Sequence, residues 1–355
     1  MGRIICIDAR LWGIRHTGIG RYVENLIDNL PGEVILIVPP DLKNEPKLAK
    51  FTKYYARFHP YSFLAQLEML WILSFIRPDL LHVPHFTILV LWPGRMVVTI
   101  HDLIKHISKG HDTTTRHPLL YWLKYFGYLI IVWLAVHRAS HIIVPAKYWR
   151  DILIKKYGLN PAEISVIYEG VAQTFLGDSL KETPFKSIPR PFVVYTGNLY
   201  PHKNILVLIR AVELAKVNLA IVCARSVFAD RLPTSPRVFY LGQLSDEQLV
   251  GLYQQAAAFT FPSLIEGFGL PGLEAMAVGL PVIAARASCL PEIYGDAALF
   301  FSPHDPVDLA DKIQSLLIDK KLREMLIAKG QMQVKKYSWA TMAAQTWEIY
   351  QAASR

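Results

Sequence analysis

Two carboxylates, Glu266 and Glu274, stand eight residues apart with Gly267, Gly269, Pro271 and Gly272 between them. An apolar run over 257–261 ends at Pro262 just upstream, and proline suits a first helical position. The reading is therefore strand, glycine-rich turn, then a helix opening near Pro271. Glu274 would fall in its first turn, where the helix dipole favours an anion. The backbone amides around Phe268–Gly272, those of Phe268, Gly269 and Leu270 among them, point out of the mouth of that helix and make a natural phosphate site. A second strand over 281–285 follows, and Gly279 sits where a C-terminal cap belongs. The carboxylate spacing alone is not specific, since two acids at a helix start are by default a solvated surface.

The same local design recurs upstream. A strand over 192–195 runs into TGNLYPHKN (196–204), then a helix over 205–216. Lys203, at a helix start after a glycine turn, makes a better phosphate ligand than an average surface lysine, and Asn198 can donate hydrogen bonds beside it. In HTGIGRY (16–22), Gly18 and Gly20 permit close backbone approach to a ligand ahead of an amphipathic helix over 22–30. No complete GxGxxG or P-loop accompanies them. His101-Asp102 closes a strand over 97–100, the end at which parallel sheets bind ligands. The plain alternative is that Asp102 caps a turn and His101 is a satisfied histidine.

These turns need a scaffold of alternating strands and helices, and the chain has room for it. Its 355 residues suit two domains of ordinary size, and 52% hydrophobic against 19% charged residues exclude a largely disordered chain. Cys6, Cys223 and Cys289 are far apart and lack metal spacing, so they read as buried thiols of a reducing compartment. Ile4–Ile7 is too short for a signal segment, and a cytoplasmic protein is expected. No Asp-x-Asp or His-cluster metal motif appears, so no metal is expected.

The net charge of +9 calls for an acidic partner. Residues 101–160 carry nine Lys/Arg against three Asp, which is +6 of that total, without any nucleic-acid motif. The same region holds LLYWLKYFGYLIIVWLAV (119–136), eighteen residues with one charge, Lys124. Its length reaches the threshold for a spanning helix. Its position between two strands expected to be parallel neighbours argues instead for a crossover helix. That helix is either buried or in contact with a membrane interface, and both readings stand. No nucleic-acid partner is expected.

The string EGFGLPGLEAMAVGLPVIA resembles the donor-binding signature of retaining glycosyltransferases of family 4, the group 1 glycosyl transferases. PHKN, the His101-Asp102 pair and GQLSDEQL (242–249) are similar to further segments of that family. The resemblance implies an α/β, GT-B fold: two doubly wound Rossmann-like domains facing across a cleft. Residues 1–171 would form the acceptor-side domain, 172–190 a linker and 191–338 the nucleotide-sugar domain. Residues 339–355 would form a helix returning to the first domain.

It also implies roles. Glu274 would hold the ribose hydroxyls and Glu266 those of the transferred sugar. Lys203, Asn198, and the amides near Gly18, Gly20 and Phe268–Leu270 would take the diphosphate. His101 would face the reacting sugar and acceptor, with Asp102 structural. Two departures stand out: Asn198 where the family commonly has arginine, and YEGV (168–171) where it usually has a Pro-Asn-Gly-Val-like string.

The SLIEGFGLPGLEAMAVG and ASCLPE strings look most like bacterial mannosyltransferases of polysaccharide assembly. GDP-mannose is thus the first donor to consider, as co-substrate and with no other cofactor required. The acceptor would be a glycan or a polyprenyl-linked glycan, met at the inner face of the cell membrane. Two alternatives remain at this point: a nucleotide-sugar epimerase or hydrolase on the same scaffold, and a non-catalytic membrane assembly subunit.

Overall fold

Short, predominantly apolar strands are what a parallel sheet covered on both faces requires. Such strands dominate the computed structural model, which describes residues 3–13, 17–110, 113–114, 117–177, 188–223 and 228–354. The described chain divides into two units: residues 1–103, 115–169 and 339–355, and residues 104–114 and 170–338. Residues 178–187 of the expected linker, and His16 of the first glycine turn, lie outside the described residues.

In the first unit seven parallel strands run in the order β3-β2-β1-β4-β5-β6-β7. They are β1 (Ile5–Asp8), β2 (Ile35–Val38), β3 (Thr52–Tyr55), β4 (Leu80–Val83), β5 (Met96–Thr99), β6 (His141–Val144) and β7 (Ile164–Val166). Its helices are α1 (Thr17–Asn29), α2 (Phe63–Ile76), α4 (Pro118–Arg138), α5 (Lys147–Tyr157) and, from the far end of the chain, α13 (Trp339–Ala353). The short α3 (Ile104–Ile107) goes with the second unit. The polar edge strand β3 has no apolar run in sequence to announce it. Helix α1 starts at Thr17, so Gly18 and Gly20 lie inside its first turn instead of in a turn ahead of it.

The second unit has six parallel strands, ordered β10-β9-β8-β11-β12-β13. They are β8 (Phe192–Thr196), β9 (Asn218–Val222), β10 (Val238–Gly242), β11 (Ala258–Phe261), β12 (Val282–Ala285) and β13 (Ala298–Phe301). Its longer helices are α7 (Ile205–Ala215), α8 (Asp246–Tyr253), α9 (Leu270–Ala277), α11 (Pro306–Ile318) and α12 (Lys320–Val334); α6 (Gln173–Leu176) and α10 (Leu290–Tyr294) are short. Ser245 caps α8 in a capping box with Gln248, as the sequence predicts.

Both sheets reverse strand order once, after β1 in the first unit and after β8 in the second. The carboxyl ends of the strands flanking such a switch point, β1 with β4 and β8 with β11, are where doubly wound sheets bind ligands. All three cysteines are buried and free.

Candidate active site

Two loops meet at the switch point of the second unit, one leaving β8 and one leaving β11. Asn204 ties them together: its Nδ2 donates to the carbonyls of Pro262 (3.2 Å) and Pro303 (2.7 Å). The amide of Leu264 donates to the carbonyl of His202 at 2.8 Å. Asn204 adopts the left-handed conformation (φ 58°), which asparagine tolerates better than most residues.

This stapling places Lys203 against Glu266, 63 residues away in sequence. Nζ donates to Oε1 at 2.6 Å, and both residues are buried. An ammonium carries three protons, so this pairing does not exhaust it. Burial and the adjacent Lys203 ammonium lower His202 to about 3, which leaves that imidazole neutral. The Glu266 charge is felt around it: burial first, and Glu266 second, push Tyr195, Cys289 and Tyr294 well up. A cation and an anion held together at reduced dielectric can stabilise a departing phosphate and bind sugar hydroxyls.

The loop from Glu266 to Gly269 is clasped by residues that sequence reasoning missed. The Glu266 amide donates to Ser288 Oγ (3.1 Å), and the Cys289 thiol faces the carbonyls of Glu266 (3.3 Å) and Phe268 (3.4 Å). Tyr294 donates its hydroxyl proton to the carbonyl of Gly269 at 2.7 Å. Gly269 (φ 106°) caps α9, and a Cβ on Gly272 would come within 2.3 Å of the Tyr294 hydroxyl, so both glycines are required. Phe268 is buried edge-on against Tyr337.

Helix α9 opens at Leu270, one residue before Pro271. Glu274 is therefore its fifth residue, buried but past the first turn, and the dipole argument for it does not hold. The Gly272 amide donates to Gly269 O (3.2 Å), which takes it out of the expected row of phosphate-binding amides. Gly279 does take positive φ (82°) just after the helix. Asn198 is exposed at the end of β8, where its Oδ1 accepts from the Tyr200 amide at 3.3 Å.

His101, Gly18 and Gly20 belong to the first unit. His101 leaves β5, and its Nε2 lies 3.1 Å from the Pro84 carbonyl, which can only accept, so this nitrogen carries a proton. Its Nδ1 faces the buried carboxylate of Glu169 at 3.4 Å. Glu169, the departure in YEGV, thus orients the histidine. The edge of Tyr22, from α1, packs 4.6 Å from the His101 ring. The Tyr22 hydroxyl meets Thr99 Oγ1 (3.1 Å), Thr99 meets His82 Nε2 (2.9 Å), and His82 Nδ1 meets the Tyr350 hydroxyl on α13. This buried chain fastens α13 to the histidine's surroundings. Among the described residues no group of three His, Cys, Asp or Glu side chains is arranged to hold a metal ion.

Residues 180–333 match the family described as glycosyl transferases group 1, and residues 16–174 match Glycosyltransferase Family 4. The chain is 25% identical to O-antigen chain mannosyltransferase B of Escherichia coli, over 94% of its own length and 96% of the relative's. It is 28% identical to O-antigen chain mannosyltransferase RfbU of Salmonella typhimurium, over 80% and 77%. Among solved structures, sucrose-phosphate synthase from Thermosynechococcus elongatus superposes with a TM-score of 0.76 at 19% identity, over 99% of both chains. HepE from Anabaena, in complex with UDP and glucose, superposes at 0.75 and 18% identity, over 99% and 100%. At such identities these structures speak to the fold alone, the GT-B arrangement built from two Rossmann-like halves.

Proposed function

We propose a donor, an acceptor and a division of labour for this chain, which belongs to the group 1 and family 4 glycosyltransferases and is an enzyme of sugar transfer from a nucleotide sugar. The donor is GDP-mannose, and mannose passes with retained configuration to a glycan or polyprenyl-linked glycan. The relatives named as O-antigen mannosyltransferases support this choice. The observation that carries the site is the buried Lys203–Glu266 pair at the switch point of the second sheet.

In this reading the second unit binds the nucleotide sugar. Glu274 holds the ribose hydroxyls, and Glu266 accepts hydrogen bonds from hydroxyls of the transferred sugar. Lys203, helped by Asn198 and the amides of Phe268, Gly269 and Leu270, takes the diphosphate as it leaves. Cations and amides preset for developing charge stabilise both a diphosphate leaving group and an oxocarbenium-like sugar. Gly18 and Gly20 add amides at the start of α1, and His101, oriented by Glu169, faces the reacting sugar. The first unit receives the acceptor, and residues 101–160 meet an anionic membrane on the cytoplasmic side.

The test supplies purified protein and a polyprenyl-linked glycan with GDP-mannose, UDP-glucose or ADP-glucose in turn. Transfer from GDP-mannose alone, giving an α-linked product by NMR, supports the reading. A β-linked product removes retention, and transfer from another donor removes mannose.

A further inference from the structure

Apolar side chains usually leave water, yet two helices of the first unit carry continuous exposed apolar stripes. On α2, Phe63, Leu67, Trp71 and Phe75 recur every four residues, and each is more than half exposed. On α4, Leu119, Leu123, Phe126, Ile130 and Trp133 follow helical spacing, and each is again more than half exposed. Only Val132, Ala135 and Val136, near the C-terminal end of α4, are buried.

The two stripes bracket one loop. Phe86 packs against Tyr61, just before α2, at 6.2 Å and against Tyr128 of α4 at 5.1 Å. Gln66 of α2 bonds Ile88 O and Val90 N, while Arg138 of α4 donates to the carbonyls of Val90 and Trp92. Leu91 in that loop is itself exposed.

Charge identifies what covers this face. Helix α4 has no acidic residue. The one carboxylate of α2, Glu68, is occupied by the amides of Arg57 and Phe58. Around the stripes lie exposed Arg77, Lys124 and Arg138. Lys155 and Lys156 close α5 beside Tyr157, whose ring meets His137 of α4. Tryptophan, tyrosine and aliphatic side chains rimmed by basic residues suit the headgroup boundary of an anionic bilayer.

Helix α4 is long and apolar enough to cross a membrane, but its anchored C-terminal end argues against spanning. With Val132, Ala135 and Val136 buried on the protein, the part of α4 ahead of them, 118–131, measures roughly 21 Å, against about 30 Å for a hydrocarbon core. Its flanking strands β5 and β6 are also parallel neighbours in one sheet.

We propose that α2 and α4 together form a monotopic docking face that lies flat on an anionic lipid bilayer. This deepens the reading of residues 101–160 given above by adding a second helix from outside that range and by fixing the helices in the membrane plane. The test sediments the full chain with vesicles of phosphatidylcholine alone, or with one part in three phosphatidylglycerol. Trp71→Ser/Phe75→Ser and Phe126→Ser/Ile130→Ser alter one stripe each, at exposed positions.

The expected result is association with the anionic vesicles only, weakened by high salt, and reduced at least tenfold by either pair with the melting temperature unchanged. No association of the wild type overturns the proposal, as does a loss confined to the α4 pair. A concentration-dependent dimer dissolved by the same substitutions overturns it too, by making the face a self-interface. Donor binding, followed by thermal shift in every variant, separates the two readings. Vesicle binding without donor binding refutes the proposed transfer and leaves the docking face standing.

Discussion

Removing the ammonium of Lys203 leaves the carboxylate of Glu266 buried without its 2.6 Å partner. Breaking a buried ion pair in this way costs about 3–5 kcal/mol. For a domain of roughly 150–250 residues each kcal/mol lowers the melting temperature by about 2–4 °C, so Lys203→Met is expected to melt roughly 6–20 °C lower. Replacing both partners with apolar groups, as Lys203→Met with Glu266→Leu, removes the stranded charge and recovers most of that loss. Sugar transfer behaves differently. On the proposed roles of Lys203 and Glu266, the double variant lacks both the cation for the leaving group and the acceptor for sugar hydroxyls, and its kcat is expected to fall by at least about a hundredfold. The assay is a double-mutant cycle in urea at neutral pH, with transfer rates measured on the same four proteins. Additive stability losses, or a Lys203→Met cost below about 1 kcal/mol, would refute the description of this pair as buried and coupled.

Two further expectations follow from neighbouring groups. Burial, with His101 close by, lowers His82 to about 3 in the folded protein. Its unfolded value is near 6.5, so its contribution is complete above that pH and shrinks as pH falls towards 3, by about 1.4 kcal/mol per unit. Urea unfolding at about pH 5 should therefore show roughly 2 kcal/mol less stability than at neutral pH from this residue, and His82→Gln should flatten that slope. Tyr294→Phe removes the donor to Gly269 O at the start of α9. Donor KM is expected to rise roughly tenfold, the value of one hydrogen bond of about 1.4 kcal/mol, with kcat little changed; a fall in kcat at constant KM would place Tyr294 elsewhere in the cycle.

Local chemistry was legible in the sequence and long-range pairing was not. The Ser245–Gln248 capping box and the helix from Ile205 rest on residues a few positions apart, and they stand where the spacing places them. The Lys203–Glu266 contact joins loops 63 residues apart, and only the β8–β11 adjacency brings them together. Glu169 was visible as a departure from the family string, yet its service to His101 needs the ends of β5 and β7 brought near each other across β6 in one sheet. Ser288 lay inside the ASCLPE string without any sign of its bond to the Glu266 amide, and Tyr294 had no signal, since a tyrosine near a helix is ordinary. Gly18 and Gly20 misled because glycine reads as turn, whereas α1 already begins at Thr17. The apolar run of α4 suggests burial or membrane equally, and the exposure of its stripe, which the sequence does not show, argues against plain burial.

The central claim is a nucleotide-sugar site at the switch point of the second unit, and donor binding tests it most directly. Thermal shift against GDP-mannose, UDP-glucose and ADP-glucose, with Glu274→Ala beside the wild type, is the measurement. The account predicts a clear upward shift with GDP-mannose that disappears in Glu274→Ala, a variant that should itself stay folded. A shift of equal size in the variant, or none with any nucleotide sugar, would contradict it.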